Sequence, residues 1–128
     1  MIQRLKENGY RLAIVTNNSR ASLEMGLAHL NLHNTFEYTL TKDDVEETKP
    51  SPEGLNRVLD LFESHPSEAL YIGDTGNDLL AAKSAGMASV LVAWTTMSTQ
   101  MIERFAPTYI LNAPVELFRI IESLSEAA

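Results

Sequence analysis

At 128 residues, 45% of them apolar, the chain is long enough for one domain with its own core. Ten basic residues against seventeen acidic ones leave a net charge of −7, the wrong sign for a nucleic-acid surface. The lack of cysteine excludes a disulfide frame and a thiolate metal site, and no run of about 18 apolar residues is present to span a membrane. The opening MIQRLKENG lacks the apolar stretch of a signal peptide, so the sequence reads as a soluble, cytoplasmic α/β chain.

Ile2 and Leu5 followed by Asn8-Gly9 predict the closing turns of a helix, with Gly9 as its stop. RLAIVT (11–16) is a near-continuous apolar run rich in β-branched residues, which predicts a strand covered on both faces. Asn17, Asn18 and Ser19 supply N-cap chemistry for a helix over about 20–31. A short strand is expected at Phe36–Leu40, then a polar loop to Lys49 whose acidic cluster, Asp43 to Glu47, reads as solvated. Ser51-Pro52-Glu53 reads as N-cap, Pro at the first helical position and an acid near the positive helix end. That helix should run to about Ser64, where His65-Pro66-Ser67 breaks it. A strand at Ala69–Gly73, a helix at Asp78–Ala85 stopped by Gly86, and a strand at Ser89–Ala93 come next. The remainder divides into a helix near Thr99–Phe105, a short strand at Tyr109–Leu111 and a last helix at Val115–Leu124. The alternation predicts a parallel sheet with helices on both faces, in one domain over residues 1–128 without repeats or internal linkers.

In an open parallel sheet, ligands bind beyond the carboxyl ends of the strands. Three segments put polar residues there. Thr16, Asn17 and Asn18 offer a hydroxyl and helix-start N–H groups to a phosphate, and serve equally as plain capping residues. Lys49 stands before Pro50, which pushes it toward an extended backbone and fixes the direction of its ammonium; a solvated loop lysine is the alternative. Asp74 and Asp78, in YIGDTGNDLLAAKSAGM (71–87), put two carboxylates after an apolar strand, as a hard divalent cation requires. A helix cap and a surface acid would account for the same pair. His29, His33 and His65 are too scattered for a zinc site and read as surface residues. Trp94 reads as packing at the sheet's rim, with lining of the pocket mouth as the alternative, and Arg20 as a helix-surface residue unless it meets a substrate's anionic tail.

In their order, these segments resemble the haloacid dehalogenase-like hydrolase superfamily. Thr16-Asn17 is similar to that family's second motif, Lys49-Pro50 to its third, and GDTGND with the following AAKSAG to its fourth. The resemblance runs from about Leu5 to about Ala93. The wording TNNS, KPSPEG and YIGDTGNDLLAAKSAGM looks closest to the phosphoglycolate phosphatase and β-phosphoglucomutase-like branch. The resemblance implies a Rossmann-like three-layer sheet and a phosphorylated small molecule as substrate. It assigns Thr16 and Asn17 to the phosphoryl group and Lys49 to the charge shared by that group and the nucleophile. Asp74 would ligate Mg²⁺, and Asp78 would ligate it or orient its water and the lysine. Such a set suits phosphoryl transfer, which needs positioning and charge stabilisation.

One part of the pattern is missing. These enzymes attack with the first Asp of a DxD at the end of an N-terminal strand, and no DxD occurs here. The aspartates are Asp43, Asp44, Asp60, Asp74 and Asp78, of which only Asp74 follows an apolar strand. Met1 falls in what resembles the helix before the second-motif strand, so the family's first strand and its cap are expected upstream of it. Two carboxylates without the nucleophile's oxygens would hold Mg²⁺ weakly. In the family the nucleophile strand lies between the strands that here end at Thr16 and Gly73. Those two strands would then pair with each other, accept a strand from a partner or a second copy, or leave the chain poorly stable; pairing or self-association is the expectation. The function expected is a phosphatase-type domain without turnover on its own. The alternatives are a non-catalytic binding or assembly module and a fragment completed in trans. Substrate choice, which rests on the cap, stays open.

Overall fold

The computed structural model describes residues 2–127, with side chains described through residue 123. Helix α1 (Ile2–Glu7) is followed by Gly9 at φ +85°, in the left-handed region that favours glycine. Strand β1 (Ala13–Val15) then leads through Ser19, whose hydroxyl accepts from Ser22 N, into α2 (Arg20–His29). Strand β2 (Tyr38–Leu40), α3 (Glu53–Phe62), β3 (Leu70–Gly73) and α4 (Gly76–Ala85) come next, α4 stopping at Gly86 with φ 76°. The chain closes with β4 (Ala88–Val92), α5 (Thr99–Phe105), β5 (Tyr109–Leu111) and α6 (Leu117–Ala127). Each expected element is present, with ends shifted by a few residues. Pro52 occupies the N-cap of α3 rather than its first turn, and a 3₁₀ turn at Pro114–Glu116 takes the start expected for the last helix. Among the described residues no helix is long and apolar enough to cross a membrane.

All strand pairs are parallel, and helices cover both faces. On one face Leu5 of α1 and Leu117 and Ile120 of α6 pack with Val90, Val92 and Leu111. On the other, Leu55 of α3 and Ala81, Ala82 and Ala85 of α4 pack beneath Val15 and Tyr71. Alternate residues of one strand therefore serve opposite layers, as the pleat dictates. Strand β4 sits at the centre of the better-buried half, with Val90 and Leu91 inaccessible to solvent.

The sheet comes in two pieces, β1–β2 and β3–β4–β5. The expected pairing between the strands that end near Thr16 and Gly73 does not form. β1 is also less covered than its composition predicts, all three of its residues being only half-buried. The two halves are joined through their helices instead: Leu55 of α3 packs with Ala81 of α4 against both Val15 and Tyr71, and Leu5 of α1 packs with Val90 and Leu111, while the strand edges stay unpaired. Thr16 N–H donates to Leu40 O and Glu37 N–H to Leu12 O. By parallel alternation, the backbone groups of Ala13 and Val15 therefore face away from β2. Likewise Ala93 N–H bonds Leu111 O, so the even-numbered residues of β4 face β3, and the register turns Leu70 and Ile72 of β3 away from β4. Between these edges lies a cleft of two cavities, about 660 and about 430 Å³, both walled by Ala13, Val15, Leu70 and Ile72. The larger is also lined by Leu55, Val58 and Leu59, and the smaller by Val92, Leu111 and Leu117. Trp94 belongs to the smaller cavity's wall and is 61% exposed, so it is not the packed residue its size suggested.

In the acidic loop Asp43, Glu46 and Glu47 are exposed, as expected, but Asp44 is half-buried and engaged. Asp44 Oδ2 accepts from Arg20 Nη2 at 2.6 Å, Thr41 N at 2.8 Å and Thr41 Oγ1 at 2.9 Å, while Asp43 accepts from Arg20 N–H at 2.8 Å. Arg20 also donates to Thr39 O at 2.7 Å, on the outer edge of β2. Its guanidinium thus closes a sheet edge, which occupies the donors that an anionic substrate tail would need.

Candidate functional site

Lys49 is the centre of the polar rim at the carboxyl ends of β1 and β3. Its ammonium donates to Asp78 Oδ1 at 2.5 Å, to the Tyr71 hydroxyl at 2.7 Å and to Val15 O at 3.1 Å. Three N–H groups meet three acceptors, and the side chain is 11% exposed. The loop before α3 carries Lys49 here, with a cis peptide bond between Lys49 and Pro50. Tyr71, on β3, donates in turn to Val15 O at 2.9 Å, so the cleft-facing carbonyl of β1 is bridged from two sides. Burial and the neighbouring Asp78 carboxylate push the Tyr71 phenol well above its ordinary value, which keeps it a neutral donor.

Asp78 closes the arrangement from α4. Its Oδ2 accepts from Asp74 N at 3.1 Å, Thr75 N at 3.1 Å and Thr75 Oγ1 at 2.9 Å, while Thr75 caps the helix. Burial alone would raise the Asp78 carboxyl, but the Lys49 ammonium and the Thr75 and Asp74 donors hold it below the usual carboxylate range. The turn is tight enough to need Gly73, where a Cβ would overlap the Asp78 side chain. Asp74 behaves differently. It is exposed, its backbone carbonyl accepts from the Thr95 hydroxyl, and no described donor reaches its carboxylate.

Thr16 follows Val15 directly, and its hydroxyl accepts from Asn18 N at 3.1 Å, the first turn toward α2. Asn17 spends its side chain on the backbone of Lys49: Lys49 N–H donates to Oδ1 at 3.0 Å, and Nδ2 donates to Lys49 O at 3.1 Å. The five residues singled out from the sequence therefore share one rim, linked through Lys49 and Asp78. Tyr71 escaped the sequence reading because an aromatic inside an apolar strand gives no sign of a polar partner. The three histidines are exposed, and no group of three or more metal-ligating side chains occurs among the described residues.

Of the expected Mg²⁺ ligands, Asp74 offers a free carboxylate, whereas both oxygens of Asp78 already accept internal donors. Mg²⁺ is commonly held by one or two carboxylates, with water and substrate phosphate completing its shell. The free carboxylate of Asp74 fits one position in the shell of such an ion, so the residues present form at most a partial site.

A family model described as haloacid dehalogenase-like hydrolase matches residues 1–92. A pyrophosphatase PpaX of Bacillus mycoides is 36% identical over 124 residues, covering 97% of this chain and 58% of that relative. A predicted phosphoglycolate phosphatase from Haemophilus somnus superposes with a TM-score of 0.85 at 28% identity, over 93% of this chain and 53% of its own. A protein assigned as a β-phosphoglucomutase from Thermotoga maritima shares the fold, with a TM-score of 0.81 at 23% identity, over 99% of this chain and 57% of its own. The chain thus spans a little over half the length of the relatives it matches.

Proposed function

This chain belongs to the haloacid dehalogenase-like hydrolase family, and we propose that it carries the phosphate-holding part of a Mg²⁺-dependent phosphomonoester hydrolase site. The observation that carries the reading is the buried Lys49–Asp78 pair bridging β1 and β3 at the rim where Thr16 and Asp74 stand. In this reading the Thr16 hydroxyl and the N–H groups that open toward α2 hold the phosphoryl oxygens. Lys49 neutralises the charge gathering between that group and the attacking oxygen. Asp78 holds the lysine in line, and Asp74 holds the metal. A bound Mg²⁺ would supply electrophilic stabilisation of the transferring group.

Without a DxD the chain lacks the attacking carboxylate, and we propose that the isolated chain has no turnover. The cleft supports the trans-completion reading: two parallel edges that no strand pairs, bridged only at Val15 O by the Lys49 and Tyr71 side chains, face one another across apolar walls. A strand entering there would satisfy both edges and bring its last residues to the Lys49 rim. Phosphorylated small molecules form the substrate class proposed, with inorganic diphosphate included on the strength of the pyrophosphatase relatives.

The test uses the purified chain with Mg²⁺ and either an aryl phosphate or diphosphate, alone and with an apolar peptide ending in Asp-x-Asp. No turnover is expected alone; with the peptide, turnover should appear and vanish in Asp74→Ala. Activity of the chain alone would show that another residue attacks. A peptide that neither binds nor restores activity would overturn the strand-completion reading.

A further inference from the structure

The side chain of Asn17 faces Lys49 as a strand would. Its oxygen takes the Lys49 N–H and its amide donates to the Lys49 carbonyl, so both backbone groups of one residue are met by one carboxamide. Thirty-two residues separate the two, and the pair ties the end of β1 to the loop before α3. With its backbone fixed there, Lys49 extends an ammonium whose three N–H groups are all engaged, one by the Tyr71 hydroxyl. Tyr71 is itself fixed by its donation to Val15 O, two residues before Asn17.

From this we infer that Asn17 and Tyr71 are positioning residues for Lys49, acting on its backbone and its ammonium respectively, and that the Asn17 side chain is not a phosphate ligand. The inference narrows the role the sequence resemblance gave Asn17 to its backbone N–H, the side chain being engaged by Lys49. It rests on the reading above for the purpose of the lysine, but not for its geometry. The chemistry required at position 17 is strict. Donor and acceptor must both be present on one short side chain, so a carboxylate of the same shape would keep the Lys49 N–H and repel the Lys49 carbonyl. At position 71 only the hydroxyl matters, because the ring would pack unchanged in phenylalanine.

The experiment reads Lys49 directly and needs no turnover. The ¹⁵N-labelled chain is observed in a lysine ammonium correlation spectrum, where a buried NH₃⁺ with three acceptors is shielded from exchange with water and gives a cross-peak. Lys6, Lys42 and Lys83 are exposed, and Lys49→Arg assigns the signal by removing it. Asn17→Ala and Asn17→Asp should each erase the cross-peak through exchange, and Tyr71→Phe should shift it, with the backbone amide spectrum showing all three variants folded. Should Asn17→Ala not fold, Asn17→Asp, near-identical in shape, decides alone. A cross-peak that survives Asn17→Asp unchanged overturns the inference. So does an Asn17→Ala variant that keeps the peak and loses affinity for inorganic phosphate, since the side chain would then be a phosphate ligand. Loss of the peak in a chain that binds no phosphate and cannot be activated would leave the positioning role intact and remove the hydrolase reading instead.

Discussion

At Asp78, four donors converge on two oxygens: the Lys49 ammonium, the Asp74 and Thr75 amides and the Thr75 hydroxyl. Such a carboxylate is more strongly held in the folded chain than in water, and its depressed pKa ties stability to pH. The stabilisation is complete above the unfolded value near 3.8 and is lost as pH falls below it through the lower folded value. Asp78→Asn leaves the Lys49 charge buried without its counter-ion and should cost about 3 kcal/mol near neutral pH. Urea titrations across the acid range check this. The gap between wild type and Asp78→Asn should narrow below the unfolded carboxyl value. A gap independent of pH would mean that the pair contributes nothing through ionisation.

Among the elements, α4 has the closest link to the site, because one residue opens the helix and holds the carboxylate. Thr75 caps α4 by accepting from Asp78 N, and its own N–H and hydroxyl donate to the Asp78 side chain, a reciprocal capping box. Ser98 caps α5 in the ordinary way, accepting from Met101 N with no link to Lys49. Loss of an N-cap costs about 1 kcal/mol. Thermal or urea unfolding should therefore show Ser98→Ala destabilised by about that amount, and Thr75→Ala by about 2 kcal/mol, since it also strips a donor from a buried, charged acceptor. Equal losses would reduce Thr75 to a simple cap.

For the whole molecule, the divided sheet is the governing feature. The two halves are tied together by their faces, α3 with α4 on one and α1 with α6 on the other, while β1 and β3 stay unpaired across the cleft between them. Its walls are apolar on both faces, so a strand fitting it would carry apolar side chains in both directions, as central parallel strands do. Hydrogen exchange followed residue by residue gives the test. The amides of Ala13, Val15, Leu70 and Ile72 should exchange fast, and those of Ile14 and Tyr71, which face a neighbouring strand, slowly. A strand peptide that occupies the cleft should slow the first four. Uniform protection along β1 in the free chain would mean that the two halves close in solution.

Much of this was legible in residue order. The alternation of apolar runs and capped helices determined a parallel α/β fold, because N-caps, helix-stopping glycines and β-branched runs act over a few residues and need no partner. The family's wording likewise marked Thr16, Lys49, Asp74 and Asp78 as neighbours. Roles that depend on which groups meet across 22 to 56 residues were decided only by the tertiary structure. The Asn17 side chain is engaged by the Lys49 backbone, Tyr71 emerged as a polar partner, and both Asp78 oxygens accept internal donors while no described donor reaches the Asp74 carboxylate. The divided sheet belongs to the same class: a strand's composition predicts that it will be covered, but only the packing of its helices decides which strand lies beside it.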